Sequence, residues 1–284
     1  MENIINQYGQ VKLGVQPTPP PPDADALAFI TAAAITGATQ QSAIITLVTQ
    51  LKATNIWNKM KAIYPFVGGT AAQHRFNLKD PRTVNAAFYL DFIGGGNHSA
   101  NGYQPNGTTA YANTKFSEYS NMTLNDTQLN NFTHLSFYSR TNAASIHPQG
   151  GSIGVYDYQD GYGSLNIIPK RENGQSFGHS RGNQAAVLSG TISDSTGYFI
   201  INRQSNSSLK YLRNNALLAQ NTTLVTNGAT RAWIRIGAVY DWGQTYYDNK
   251  EAAFATIGYS LTDAEATALY NAVQAFQTTL GRQV

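Results

Sequence analysis

The apolar positions along this chain change their period. Ala26, Leu27, Ile30 and Ala34 recur at three- and four-residue spacing, and after a break at Gly37 the pattern returns in Ile44, Leu47, Val48 and Leu51. Two amphipathic helices are predicted. Ile56, Trp57, Met60 and Ile63 continue the spacing and predict a third short helix, which Pro65 ends. From about Val84 the period becomes two. Ala86, Phe88, Leu90 and Phe92 fall on one face, with Asn85, Tyr89 and Asp91 on the other, as a half-buried strand requires. Leu135 and Phe137 alternate with His134, Ser136 and Tyr138; Ala232, Ile234, Ile236 and Ala238 alternate with Arg231, Trp233 and Arg235; Ala253, Ala255 and Ile257 alternate with Phe254 and Thr256.

Turn-rich segments separate these runs. They are IGGGNHSANGYQPNG from Ile93, HPQGG from His147, YQDGYG from Tyr158, and the hairpin candidate LKYLRNNALLAQ, where Asn214 and Asn215 accept positive φ. Many short strands joined by such turns predict a sandwich or jelly roll. The chain then returns to helix: Thr262 and Glu265 form a capping box, Leu269, Val273, Phe276 and Leu280 supply a buried stripe, and Gly281 stops it.

A run of prolines, Pro17 to Pro22 with Thr18 inside it, fixes an extended, donor-poor spacer. Four segments follow: residues 1–16, a proline-rich linker over 17–23, a helical spacer or cap over 24–65, and a β-sandwich with its closing helix over 66–284. Residues 1–16 are too few to bury a core of their own. Their alternation through Val11, Leu13 and Val15, with Tyr8 as a further anchor residue, fits a single strand that adds to the edge of a partner's sheet, or an unstructured tail.

Composition narrows the chemistry. Charged residues make up 12% of the chain and nineteen basic side chains face sixteen acidic ones without runs, so no phosphate-tracking stripe exists and nucleic acid is not an expected partner. There is no cysteine, which rules out disulfides and thiolate metal sites. No stretch reaches the roughly twenty apolar residues of a membrane helix, and MENIINQYGQVKLGV lacks the pattern of a signal peptide. The expected route is synthesis in a cytoplasm and release by lysis. Seven Asn-x-Ser/Thr matches, at Asn97, Asn106, Asn121, Asn125, Asn131, Asn206 and Asn221, are read as chance in a chain so rich in Asn and Thr.

Catalytic motifs do not emerge. His74, His98, His134, His147 and His179 are dispersed and read as surface or loop residues. Asp157, Asp160 and Asp241 are the acids closest to a calcium pattern, but three scattered carboxylates define no site and no cofactor is expected. Asp248 with Glu251 reads as a loop before a strand, and Asp263 with Glu265 as helix N-terminal charge, so the paired carboxylates of a glycosidase are not seen. Ser180 in GHSRG lacks a nucleophile elbow, and GGGNH at Gly94 lacks the Lys-Ser/Thr of a phosphate loop. The expectation is a protein that is not an enzyme. Two aromatic groups remain: Tyr156, Tyr158 and Tyr162 around the QDG turn, and Trp242, Tyr246 and Tyr247 in DWGQTYYDNK. Such side chains present flat faces to sugar rings, or pack against neighbouring loops.

Several segments carry a family resemblance. AFITAAAITGATQQSAIITLV at Ala28, YPFVGGTAAQHRFNLKDPR at Tyr64, PNGTTAYANT at Pro105, HLSFYSRTN at His134 and the block from Asn249 to Val284 resemble a laminin-G-like, concanavalin-A-like domain of phage virion proteins, including crAss-like phages and others infecting Bacteroidetes. The NGTTAYANT and IRIGAVYDW segments match general features of the wider superfamily. The resemblance implies a mainly β concanavalin-A-like jelly-roll sandwich with an N-terminal helical segment and a C-terminal helix. It further implies a head fiber or capsid decoration on the virion exterior, docked on capsid or other virion proteins through residues 1–16 and self-associating as a homo-oligomer, with a trimer expected. Its sandwich would be offered to host or environmental glycans. A tail fiber or other receptor-binding appendage is the alternative in the same class; a glycan-cleaving enzyme and a secreted lectin are the alternatives outside it.

Overall fold

The computed structural model describes residues 21–82, 86–122, 132–157, 163–180, 187–223 and 228–284; Tyr8, Val11, Leu13, Val15, Tyr158 and Tyr162 lie outside these residues. Helix α1 (Ala24–Ala32) starts where the Asp23 carboxylate accepts the Asp25 N–H, and it buries Ala26, Phe29 and Ile30. Leu27, expected in that stripe, points outward. Helix α2 (Ala38–Ala53) buries Ile44, Leu47, Val48 and Leu51, all four of its predicted stripe. The third predicted helix is not formed. Trp57–Lys59 makes one 3-10 turn, and Met60–Tyr64 is strand β1. Its apolar spacing was compatible with a helix, but pairing with the central strand β17 (Ala252–Tyr259) satisfies the backbone of β1 as a sheet member.

Two antiparallel sheets form the body. The larger runs in the order β13 (Ala216–Asn221), β12 (Ser208–Arg213), β11 (Gly197–Ser205), β6 (Thr133–Ser139), β17, β4 (Gly102–Gln104), β3 (Asn97–Ser99), with β1 also on β17. The second runs β10 (Val187–Thr191), β9 (Gln175–Ser180), β8 (Leu165–Ile168), β7 (Ile153–Val155), β14 (Arg235–Ile236), β5 (Tyr111–Asn113), β2 (Asp91–Ile93). A separate hairpin joins β15 (Ala238–Asp241) to β16 (Gln244–Tyr247). The sheets enclose one core, with Leu135, Phe137, Phe199 and Ile257 from the larger meeting Ile153, Leu165, Ile167 and Ile236 from the smaller. The β12–β13 hairpin turns on Asn214 and Asn215 at φ 47° and 64°, the left-handed pair of a type I′ turn.

A second core lies on the other side of the eight-stranded sheet. Apart from the single turns α3 (Ala71–His74) and α4 (Glu118–Asn121), the helices of the described residues, α1, α2 and α5 (Asp263–Thr279), pack there on Tyr138, Tyr198, Ile200 and Phe254. The capping box of α5 is formed, Leu269, Val273 and Phe276 are buried, and Gly281 at φ 65° ends the helix with Arg282 N–H bonding to Gln277 C=O. The chain is thus three layers deep, mainly β, with the sandwich architecture expected.

Four strand readings need correction. The alternation expected from Arg231 to Ala238 is broken at Gly237, at φ 87°: only Arg235–Ile236 is strand in the seven-stranded sheet, and Ala238 opens the separate β15–β16 hairpin. The strand expected from Val84 through Phe92 is shorter: Phe88 sits at φ 62° and the ladder starts only at Asp91, while Val84 and Asn85 lie outside the described residues. In β17 a bulge between Ala252 and Phe254 places Ala253 with Phe254 against the helices, breaking the strict alternation. In β6 the supposedly solvated residues His134, Ser136 and Tyr138 are all buried, because the helical layer covers them.

That covered face satisfies its polar groups internally. His134 Nδ1 contacts the Tyr259 carbonyl at 2.7 Å and Nε2 the Thr256 hydroxyl at 2.9 Å; the Tyr198 hydroxyl donates to Ser136 Oγ at 2.7 Å. Gly258 leaves room for the imidazole, since a Cβ there would stand 2.7 Å from His134 Cε1. Burial drives the His134 pKa down to about 4. Arg282 is also enclosed, donating to the Phe66, Pro65 and Ala253 carbonyls at 2.8 to 3.0 Å, and burial lowers its pKa to about 9. Among the described residues no helix is long and apolar enough to cross a membrane.

Candidate functional site

Period-two alternation in the seven-stranded sheet produces two rungs of opposite character. One rung, Ala112, Ile236, Ile153, Ile167, Gly178 and Leu188, runs across five antiparallel pairings and faces the core. Gly178 is required in it: a Cβ would meet the Tyr211 ring at 2.7 Å. The adjacent rung is Asn113, Arg235, Gly154, Asn166, His179 and Val187, and it points away from the core. Among the described residues no helix packs on this outer face. The β15–β16 hairpin lies on it instead, through Val239 and Tyr246 against Tyr156, Ile168 and Phe177.

The hairpin separates two clefts. Successive residues of β15 address opposite sides. Asp241 lines a cleft of about 350 Å³ together with Gln149, Tyr156, Asn166, Arg171, Phe177, His179 and Val187. Tyr240 lines a neighbouring cleft of about 240 Å³ with Asn113, Arg231, Ala232, Trp233 and Arg235. In the second, the Arg235 guanidinium lies 4.5 Å from the Tyr111 ring centroid and 4.8 Å from that of Tyr240, and it donates to Thr245 Oγ1 at 2.7 Å. Trp233 is 52% exposed at its rim.

The first cleft is chemically less settled. Asn166 is 1% exposed, yet its Nδ2 has no hydrogen-bond partner; Arg171 Nε is likewise buried and unpaired, although its guanidinium carbon lies 3.6 Å over the Phe177 ring. Burial raises the Asp241 pKa above the ordinary carboxylate value. Buried polar groups are nearly always paired in folded proteins. Two donors and a partly desolvated carboxylate lining one cleft are therefore suited to a polar ligand that supplies both acceptors and donors.

The four described aromatics predicted from sequence all lie on or beside this face. Tyr156 lines the first cleft. Trp242 forms the tip of the β15–β16 turn at φ 38°, with its indole 57% exposed. Tyr246 packs into the small hairpin cluster and stacks on His147 at 4.4 Å, and Tyr247 approaches Tyr111 at 6.3 Å. Asn166, Arg171, Phe177, Arg235 and Tyr240 were missed as site residues. Asn166, Phe177, Arg235 and Tyr240 sit on short strands and Arg171 in the β8–β9 connection, and nothing in the sequence says which strands neighbour each other.

The histidine reading changes as well. His74, His134 and His179 are buried rather than superficial. His74 and His98, far apart in sequence, bring their Nδ1 atoms to 3.0 Å, and burial with the neighbouring His98 charge holds the His74 pKa at about 3. Among the described residues no three His, Asp or Glu side chains gather as a metal site. Asp157 is occupied by the Arg231 and Ala232 backbone N–H groups, at 2.6 and 3.2 Å, and Asp160 lies outside the described residues. Asp248 is buried against Lys250 at 3.1 Å and also bonds Ser152.

No protein-family model and no curated protein sequence matches the chain. Solved structures do. The binding domain of botulinum neurotoxin DC in complex with rat synaptotagmin II superposes with a TM-score of 0.52 at 12% identity, over 77% of this chain and 52% of that one. A Trypanosoma rangeli sialidase in complex with 2,3-difluorosialic acid gives 0.51 at 12% identity, over 81% of this chain and 38% of that one. The shared fold is an antiparallel, jelly-roll-like β-sandwich. This sandwich spans about half or less of the length of these two relatives.

Proposed function

We propose that the chain is a non-enzymatic glycan-binding protein displayed on the exterior of a bacteriophage particle, as a head fiber or capsid decoration. The observation that carries the binding half is the outer face of the seven-stranded sheet, on which no helix packs among the described residues and where two adjoining clefts are lined by aromatic, amide and guanidinium groups. Sugar recognition uses these groups: flat rings for C–H faces and fixed polar groups for hydroxyls. One structural relative is in complex with a sialic acid analogue and another with a protein, so the fold alone does not choose between these kinds of partner. The clefts favour the sugar here because they are concave and combine apolar ring faces with a few fixed polar groups, whereas protein-binding surfaces of standard size are broad and flat-cored.

A binding role is favoured over hydrolysis by the acids available. Asp241 is the one carboxylate among the described residues lining the two clefts, while most glycosidases hold a pair about 5 to 10 Å apart. The virion half rests on the resemblance of the segments at Ala28, Tyr64, Pro105, His134 and Asn249, which lie in all three layers of the fold, and on the proline spacer that sets residues 1–16 apart. Oligomerisation, with a trimer expected, would multiply weak sugar contacts into useful avidity.

Two measurements test the reading. The purified full chain should bind a subset of bacterial and mucosal polysaccharides on an array without releasing reducing ends; steady hydrolysis would move it to the enzyme class. Cryo-electron microscopy of the particle should show residues 1–16 against capsid subunits. Contact with tail proteins would make it a receptor-binding appendage, and absence from particles would defeat the virion assignment.

A further inference from the structure

We propose that the cleft between the β15–β16 hairpin and strands β8 and β9 holds an uncharged hexopyranose unit by two adjacent hydroxyls, with Asp241 accepting from both and Asn166 Nδ2 and Arg171 Nε donating to its oxygens. The inference rests on the glycan-binding reading above and narrows its ligand class.

The first support is the unfilled hydrogen-bonding capacity. Asn166 is almost wholly enclosed, and a buried donor without a partner destabilises the fold that holds it. The position is not one the fold demands be polar. On the same strand Ile168 shares the outer face and packs under the hairpin. An amide kept there, with an unpaired Arg171 Nε lining the same cleft, marks a place where acceptors arrive from outside. The second support is charge. Among the described residues Arg171 and Asp241 are the fixed cation and anion of the lining, so their formal charges balance. An acidic sugar would bring a second carboxylate beside Asp241, whose ionised form burial already disfavours. A vicinal diol instead offers two O–H donors to one carboxylate and leaves its lone pairs for the amide and guanidinium. The third is size: about 350 Å³ lies at the small end of ligand pockets and suits one or two sugar rings rather than a peptide.

The experiment is saturation-transfer NMR on the full chain with methyl glucoside, methyl galactoside and methyl mannoside, set against methyl glucuronide and free sialic acid as anionic probes. At least one neutral glycoside is expected to bind more tightly than either acid, and removal of one of its adjacent hydroxyls in the deoxy analogue should weaken it at least tenfold. Asp241→Asn, an isosteric change at a partly exposed site, should weaken it by a similar factor, and Asn166→Ser should do the same. A folded Asp241→Asn, melting at or above the temperature of the unaltered chain, keeps the test valid if the Asn166 variant folds poorly. Preference for the acids, or full binding by both variants while Trp233→Ala loses it, would overturn this inference and leave the glycan-binding reading standing. Failure of the unaltered chain to bind any carbohydrate, on the probe set or the array, would overturn both.

Discussion

On the helix-covered face of the eight-stranded sheet, His134, Ser136, Tyr198 and Thr256 spend their hydrogen-bonding capacity on one another and on the backbone. On the outer face of the seven-stranded sheet, Asn166 Nδ2 and Arg171 Nε sit beside a cleft with none of theirs spent. Both faces alternate polar with apolar residues in sequence, and both sheets share one core. The difference lies in what covers them. A closed polar network fixes packing, whereas an open one at a concave surface is available to a ligand.

The contrast can be broken hardest from the covered side. Arg282→Met removes a donor to the Phe66, Pro65 and Ala253 carbonyls inside the helical layer and should cost about 3 to 5 kcal/mol in denaturant unfolding. Leu47→Ala, in the fully buried stripe of α2, should cost about 2 to 5 kcal/mol by the same measurement. Acid separates the faces by sign. His134 has its folded pKa pushed to about 4 from 6.5, so the stability it contributes is complete above pH 6.5 and is lost as pH falls toward 4, about 3 kcal/mol in all. Asp241 has its pKa raised, so its effect is opposite: protonation on acidification relieves a cost borne at neutral pH. A pH series of melting temperatures should therefore fall toward pH 4 in the unaltered chain, and Asp241→Asn should raise the neutral-pH end of the curve. Trp242→Ala, at the exposed hairpin tip, should change stability by no more than about 0.5 kcal/mol. Its measurable effect should be on polysaccharide retention.

Local chemistry was legible before the structure. Asn214-Asn215 specified a turn, Thr262 with Glu265 opened α5, Gly281 closed it, and the Ile44–Leu51 stripe defined α2. These signals depend on neighbours in sequence. What failed depended on neighbours in space. Met60 and Ile63 kept helical spacing, but β17 recruited them into a sheet. His134 and Ser136 looked solvated because alternation reports polarity, and polarity does not reveal whether water or another side chain supplies the partner. The outward rung was hidden for the same reason. Asn166 and His179 pair across neighbouring strands, but Arg235 joins their rung only through β14, which lies far along the chain from β9. Of the six aromatics singled out, the described four fall at this face, but the polar partners that give it chemistry required the fold.

The most direct test of the open face as the recognition surface is the structure of the full chain bound to the oligosaccharide it retains most strongly on an array. The account predicts sugar density in the cleft lined by Asn166, Arg171 and Asp241, with the chain continuing across the hairpin toward Arg235 and Trp233. Sugar held instead on the helical layer or on loops away from the seven-stranded sheet would contradict it.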